Sequence, residues 1–141
     1  MVLFVSFRHL ALLWRQFVTI NNPALFCANL WDWACLDGCF GNTRISPMDI
    51  DGIVERHGKF LFIETKAPGV LIPAGQLILL EQLAQKEDFT VLIVYGCPGN
   101  PTEIWYWDGK QPILVKSATI EDLRNIVKQW FQTVDTTRKS T

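Results

Sequence analysis

Asp49, Asp51, Glu64 and Lys66 are the residues of this 141-residue chain whose types and spacing could do chemistry. Two carboxylates two positions apart are followed by a carboxylate and an amine two positions apart. Carboxylates beside an ammonium are the groups that hold a hard cation and balance the charge of a bound anion. Side chains on a strand alternate between faces. On a strand over residues 48–54, Asp49 and Asp51 therefore share one face; on a second over 60–66, Glu64 and Lys66 do the same. A polar turn over residues 55–59, containing His57 and Gly58, folds one strand back on the other and brings the four groups together. A strand rich in Phe, Leu and Ile has no packing reason to end in unpaired charge, whose burial costs on the order of several kcal/mol. The pattern points to a site.

The same residues carry a resemblance. SPMDIDGIVERHGKFLFIETK resembles the signature of the PD-(D/E)XK nuclease superfamily, an acidic residue on one strand and Glu-x-Lys on the next, with Pro47 ahead of the acids. The wording also looks like that of small phage and bacterial nucleases and of archaeal Holliday-junction resolvases. The likeness covers roughly residues 44–95, and its weight lies in the order of parts: two acids, a hairpin, an apolar strand with E-x-K, a helix, a second apolar strand. It implies an α/β restriction-endonuclease-like core in the order α-β-β-β-α-β, a central mixed sheet flanked by helices, with a C-terminal hairpin and helix added. It further implies metal-dependent hydrolysis of phosphodiester bonds in DNA, branched or duplex, by a homodimer in the cytoplasm of a bacterium or phage-infected host. Asp51 and Glu64 would then hold Mg²⁺, or Mn²⁺ in its place, with the Thr65 main-chain carbonyl as a third oxygen. Lys66 would hold or polarise the attacking water and neutralise charge on the phosphate, and Gln76 would orient the water or Lys66. Asp49 is a further ligand or an outer group. Asp51 is favoured as principal ligand because it precedes Glu64 by thirteen residues, close to the spacing in junction-resolving relatives; Asp49 follows Pro47 more as the motif name suggests. Many members carry a metal-binding Glu on the first helix, yet no Glu precedes Glu55 here, which leaves Asp32 or Asp37 as substitutes or a site with no such ligand.

The elements that must position these groups follow from periodicity. Leu3, Phe7, Leu10, Trp14 and Phe17 recur at helical spacing, giving an amphipathic helix packed on the sheet, or a surface-active or partner-binding one, ended near Pro23. Residues 24–36 read as a second short helix and 37–44 as a loop, and the first strand of the family core is expected in this region. After the E-x-K strand, Pro73 opens a helix with an apolar stripe of Leu77, Leu80, Leu83 and Ala84, and Gln76 falls within that stripe. An inward amide needs a partner. Phe89 to Tyr95 is an unbroken apolar run of the kind buried on both faces in a parallel pair. A hairpin over 103–115 turns at Asp108 and Gly109; its aromatics alternate faces, which favours packing over stacking on bases. Thr119 and Asp122 cap a last helix with Ile120, Leu123, Ile126, Val127, Trp130, Phe131 and Val134 on one side.

Length fits one domain over residues 1–141, with its core at about 24–100 and the hairpin and helix at 101–134. A net charge of −1 excludes a protein that coats nucleic acid by bulk electrostatics, so DNA must meet a local patch or bound cations. Arg8, His9 and Arg15 interrupt the apolar N-terminal run before it reaches the roughly 20 residues of a membrane span. Cys27, Cys35, Cys39 and Cys97 match no common zinc spacing and read as buried and reduced; the alternative is a metal or iron-sulfur site on the first three. Two further functional classes remain: a non-catalytic nucleic-acid- or protein-binding module on the same fold, and a phage interference protein directed at a host complex.

Overall fold

The computed structural model describes residues 22–109 and 111–136. The amphipathic helix expected over the first twenty residues lies outside them. The chain divides into two compact units, Met1–Ser46 and Pro47–Thr141.

In the first unit, helix α1 spans Pro23–Ala28, and a 3₁₀ turn spans Trp33–Leu36. Asn22 caps α1 by accepting from the Leu25 amide at 3.0 Å, with Pro23 at the first turn. Asn29 then turns its amide back onto the Leu25 carbonyl at 2.8 Å, and Asp32 accepts from the Ala34 amide at 2.9 Å. These short polar side chains compete with the main-chain helix ladder, so the expected single helix over 24–36 breaks in two. None of the residues of either element is buried. The first core strand expected here is absent among the described residues: no strand precedes Gly52. The four cysteines, expected in a core, are all free and exposed.

The second unit is an α/β layer built on a five-stranded mixed sheet. Its elements are β1 (Gly52–Arg56), β2 (Lys59–Lys66), α2 (Ala74–Ala84), β3 (Phe89–Cys97), β4 (Asn100–Trp107), β5 (Ile113–Lys116) and α3 (Ile120–Thr136). The sheet order is β1-β2-β3-β4-β5, antiparallel except for the β2/β3 pair that α2 connects. Among the described residues, two strands therefore precede the connecting helix, where the family order has three. The β1/β2 turn places His57 and Gly58 at φ 53° and 78°, the positive pair that matches the twist of a two-residue hairpin. The Gly58 amide donates to Glu55 Oε1 at 2.8 Å.

β3 is the centre of the packing. Its alternation sends Val91 and Ile93 to one face, with Leu80 and Ala84 of α2, and Leu92 and Val94 to the other, with Leu61, Ile104, Trp130 and Val134. Val91, Leu92 and Ile93 are each at most 1% exposed, and burying such side chains stabilises by about 1.5–3 kcal/mol apiece. Trp105 and Trp107 pack on the α2 side and Tyr106 on the α3 side, as their alternation requires. α3 is held at its start by Asp122 Oδ2, which accepts from the Thr119 amide at 2.7 Å and hydroxyl at 2.8 Å. Near its end Asp135 accepts from Arg56 Nε at 2.7 Å, tying the last helix to the first hairpin.

Among the described residues, no helix is long and apolar enough to cross a membrane.

Candidate active site

β2 ends in Glu64, Thr65 and Lys66. Alternation puts Glu64 and Lys66 on the α2 face with Phe62, and Thr65 on the α3 face with Leu61 and Ile63. Glu64 is only 7% exposed. Its Oε1 pairs with the Lys66 ammonium at 2.7 Å and accepts from Gln76 Nε2 at 2.5 Å. Gln76, in the first turn of α2, is 9% exposed, and its partner is Glu64 rather than Lys66. Removing a carboxylate and an ammonium from water costs more than their attraction returns unless further hydrogen bonds complete the geometry. Here Gln76 supplies one, and no buried side-chain nitrogen or oxygen among the described residues lacks a partner.

The two aspartates stand differently from the sequence expectation. The strand read over 48–54 begins only at Gly52, so Asp49 and Asp51 precede it and share no strand face. Asp51 Oδ2 accepts from the Thr65 amide at 2.8 Å and the Thr65 hydroxyl at 2.6 Å. A carboxylate taking the amide that a neighbouring strand would otherwise satisfy ends the ladder at that point. Asp51 is thereby turned to Thr65, whose side chain stands on the opposite face of β2 from Glu64. Asp49 is the acid that lines a cavity with Glu64: about 210 Å³ bounded also by Gln76, Met48, Ile50 and Leu80. Asp32, the substitute considered for the missing first-helix Glu, caps the 3₁₀ turn in the first unit, and Asp37 follows that turn.

Among the described residues, no three His, Cys, Asp or Glu side chains cluster closely enough to hold a metal ion. The available donors at the end of β2 are the carboxylates of Glu64, Asp49 and Asp51 and the Thr65 carbonyl, all oxygen. That chemistry fits a hard divalent cation that keeps several of its waters, and suits zinc or iron poorly. The turn expected over 55–59 narrows to His57 and Gly58, because Glu55 pairs with Phe60 and Arg56 with Lys59 in the β1/β2 ladder; His57 Nε2 lies 3.4 Å from Asp135.

Register adds polar groups that sequence reasoning missed. Lys66 pairs with Tyr95, Tyr95 with Glu103, and Glu103 with Lys116, a row on one face across four strands. Lys66 and Lys116 end β2 and β5 while Tyr95 and Glu103 lie within β3 and β4, and only the order of the strands brings them together. A second cleft, about 470 Å³, opens at the carboxyl ends of β2 and β3, bounded by Thr65, Lys66, Gly96, Cys97 and Leu123.

No family model, no curated protein and no solved structure matches this chain.

Proposed function

We propose that the second unit is a metal-dependent nuclease that hydrolyses phosphodiester bonds in DNA, on a reduced restriction-endonuclease-like core of hairpin, helix and parallel strand. The observation that carries this reading is the buried Glu64 carboxylate, paired with Lys66 and hydrogen-bonded by Gln76 at the end of an otherwise apolar strand. Stability alone gives no reason to keep these groups where apolar side chains would pack as well.

A hard cation such as Mg²⁺, with Mn²⁺ as substitute, supplies charge for the phosphate and lowers the pKa of water when bound. Glu64 is the ligand fixed in place. Asp49, which lines the same cavity, and Asp51, on release from Thr65, are the acids that would join it, with the Thr65 carbonyl as a neutral donor. Lys66 donates to a phosphate oxygen or holds the attacking water. Gln76 holds Glu64 against rotation, which keeps the carboxylate aimed while its charge is shared between cation and amine. The net charge of −1 makes local contacts, not bulk attraction, the source of affinity for the polyanion.

The test is cleavage of single-stranded, duplex, flapped and branched DNA with Mg²⁺ or Mn²⁺, using wild type and Glu64→Gln, Asp49→Ala and Asp51→Ala. Loss of cleavage in Glu64→Gln is expected, and whichever aspartate variant falls with it is the second ligand. A wild type that cuts none of the four substrates ends the proposal. The alternative of a non-catalytic binding module is favoured by one observation, the engagement of Asp51 with Thr65. It predicts no calorimetric Mg²⁺ or Mn²⁺ signal that Glu64→Ala abolishes.

A further inference from the structure

We infer that the row Lys66, Tyr95, Lys116 is a seat for one strand of nucleic acid running across the carboxyl end of the sheet, with Tyr95 a positioning residue for the phosphate next to the one attacked. The inference rests on the nuclease reading and adds to it the path of the substrate.

The row is built, not incidental. Lys66 lies opposite Tyr95 in the parallel β2/β3 pair, and Tyr95 opposite Glu103, itself opposite Lys116, in the antiparallel pairs. In-register partners on neighbouring strands share a face, and strands lie about 4.8 Å apart. Lys66 and Lys116 are thus roughly 14 Å apart, the axial length of about four nucleotides at ~3.4 Å each.

Glu103 would repel a phosphate, but its carboxylate is drawn back along β4, where it accepts from the Trp105 indole at 2.6 Å. The phenol has Lys66 as its neighbour on β2 and Glu103 on β4, with Lys116 one strand beyond. Immediately after Tyr95 the β3/β4 register shifts, and Gly96 sits at φ 150° with its Cα so close to β4 that a Cβ would lie 2.3 Å from the Asn100 carbonyl oxygen. A bulge of this kind re-aims the side chain beside it. Aromatic groups between cations are the usual means of holding a single strand without reading its sequence.

The experiment measures binding of a fluorescently labelled 12-nucleotide single strand by anisotropy in EDTA, and cleavage kinetics with Mg²⁺, for wild type, Tyr95→Phe and Lys116→Glu. Phe keeps the ring against its core neighbours, and Lys116 is exposed, so both variants retain the fold. Tyr95→Phe is expected to weaken binding and raise KM by about tenfold with kcat within a few-fold. Lys116→Glu is expected to weaken binding and flatten its salt dependence by about one unit of slope or more. Binding and KM unchanged in both variants, with wild type active, overturns the seat and leaves the nuclease intact. A wild type that binds the strand, loses binding in both variants and cuts nothing ends the nuclease reading and upholds the seat. A wild type that binds no single strand overturns it.

Discussion

Replacing Glu64 by Gln keeps its shape and removes its charge, and the structure says what that costs. Lys66 Nζ, 2.7 Å from the Glu64 carboxylate, is left facing a neutral amide, and Gln76 faces another amide in place of a strong acceptor. Breaking a fully buried pair on one side costs about 3–5 kcal/mol. The Lys66 side chain is 18% exposed and can turn to water, which lowers the expected loss to about 2–3 kcal/mol. With a urea slope of about 1–3 kcal/mol per molar, the unfolding midpoint falls by about 0.7–3 M. Glu64→Leu, Lys66→Met and Gln76→Leu made together leave no orphaned charge or amide. That triple variant is expected to equal wild type or exceed it by about 1–4 kcal/mol. The assay is urea unfolding followed by far-UV circular dichroism, with equal slopes confirming comparable native and unfolded states. If the triple variant loses as much stability as Glu64→Gln, the trio is a structural keystone, and its buried charge ceases to mark a site.

Asp51→Ala removes the acceptor of both the Thr65 amide and hydroxyl; a loss of about 1–2 kcal/mol is expected, and hydrogen exchange at the Thr65 amide is expected to accelerate while that at Val91 does not. Gly96→Ala forces a Cβ against the Asn100 carbonyl and is expected to cost at least about 2 kcal/mol in chemical unfolding, with an unchanged midpoint refuting the tight β3/β4 approach. Hydrogen bonds from Arg56 hold the Asp135 carboxyl below its usual range, and hydrogen bonds from Thr119 do the same for Asp122. Both groups have folded pKa values below their unfolded ones, so their stabilisation is fully present above about pH 4 and is lost as pH falls through the depressed values. Asp135→Asn is therefore expected to flatten the acid limb of a thermal-unfolding profile.

Much of the second unit was legible because its residues obey one period at a time. The unbroken run of β3, the turn at His57 and Gly58, the Asp122 cap and the inward Gln76 each follow from local rules, and the structure has all four. The parallel β2/β3 pair followed from an apolar strand on either side of a helix. The acids were not legible in the same way. DIDGIV alternates as a strand would, but Asp51 takes the Thr65 amide with its side chain, and that long-range hydrogen bond ends β1 at Gly52. Asn29 and Asp32 likewise split a stretch that reads as one helix. Cys27, Cys35 and Cys39 carry a core-like residue type in a unit where packing leaves them exposed. The row from Lys66 to Lys116 needed strand order, which no local pattern carries.

The sheet order repeats the chain order. As the polypeptide emerges from a ribosome, each new strand can add to the one before it without threading past an older neighbour. The face under Leu61, Leu92 and Ile104 nevertheless stays uncovered until Trp130 and Val134 arrive, and Arg56 waits 79 positions for Asp135. Synthesis therefore leaves a nascent sheet with one oily side bare until the last described helix is made, and a chain released before residue 130 would be prone to aggregate rather than fold.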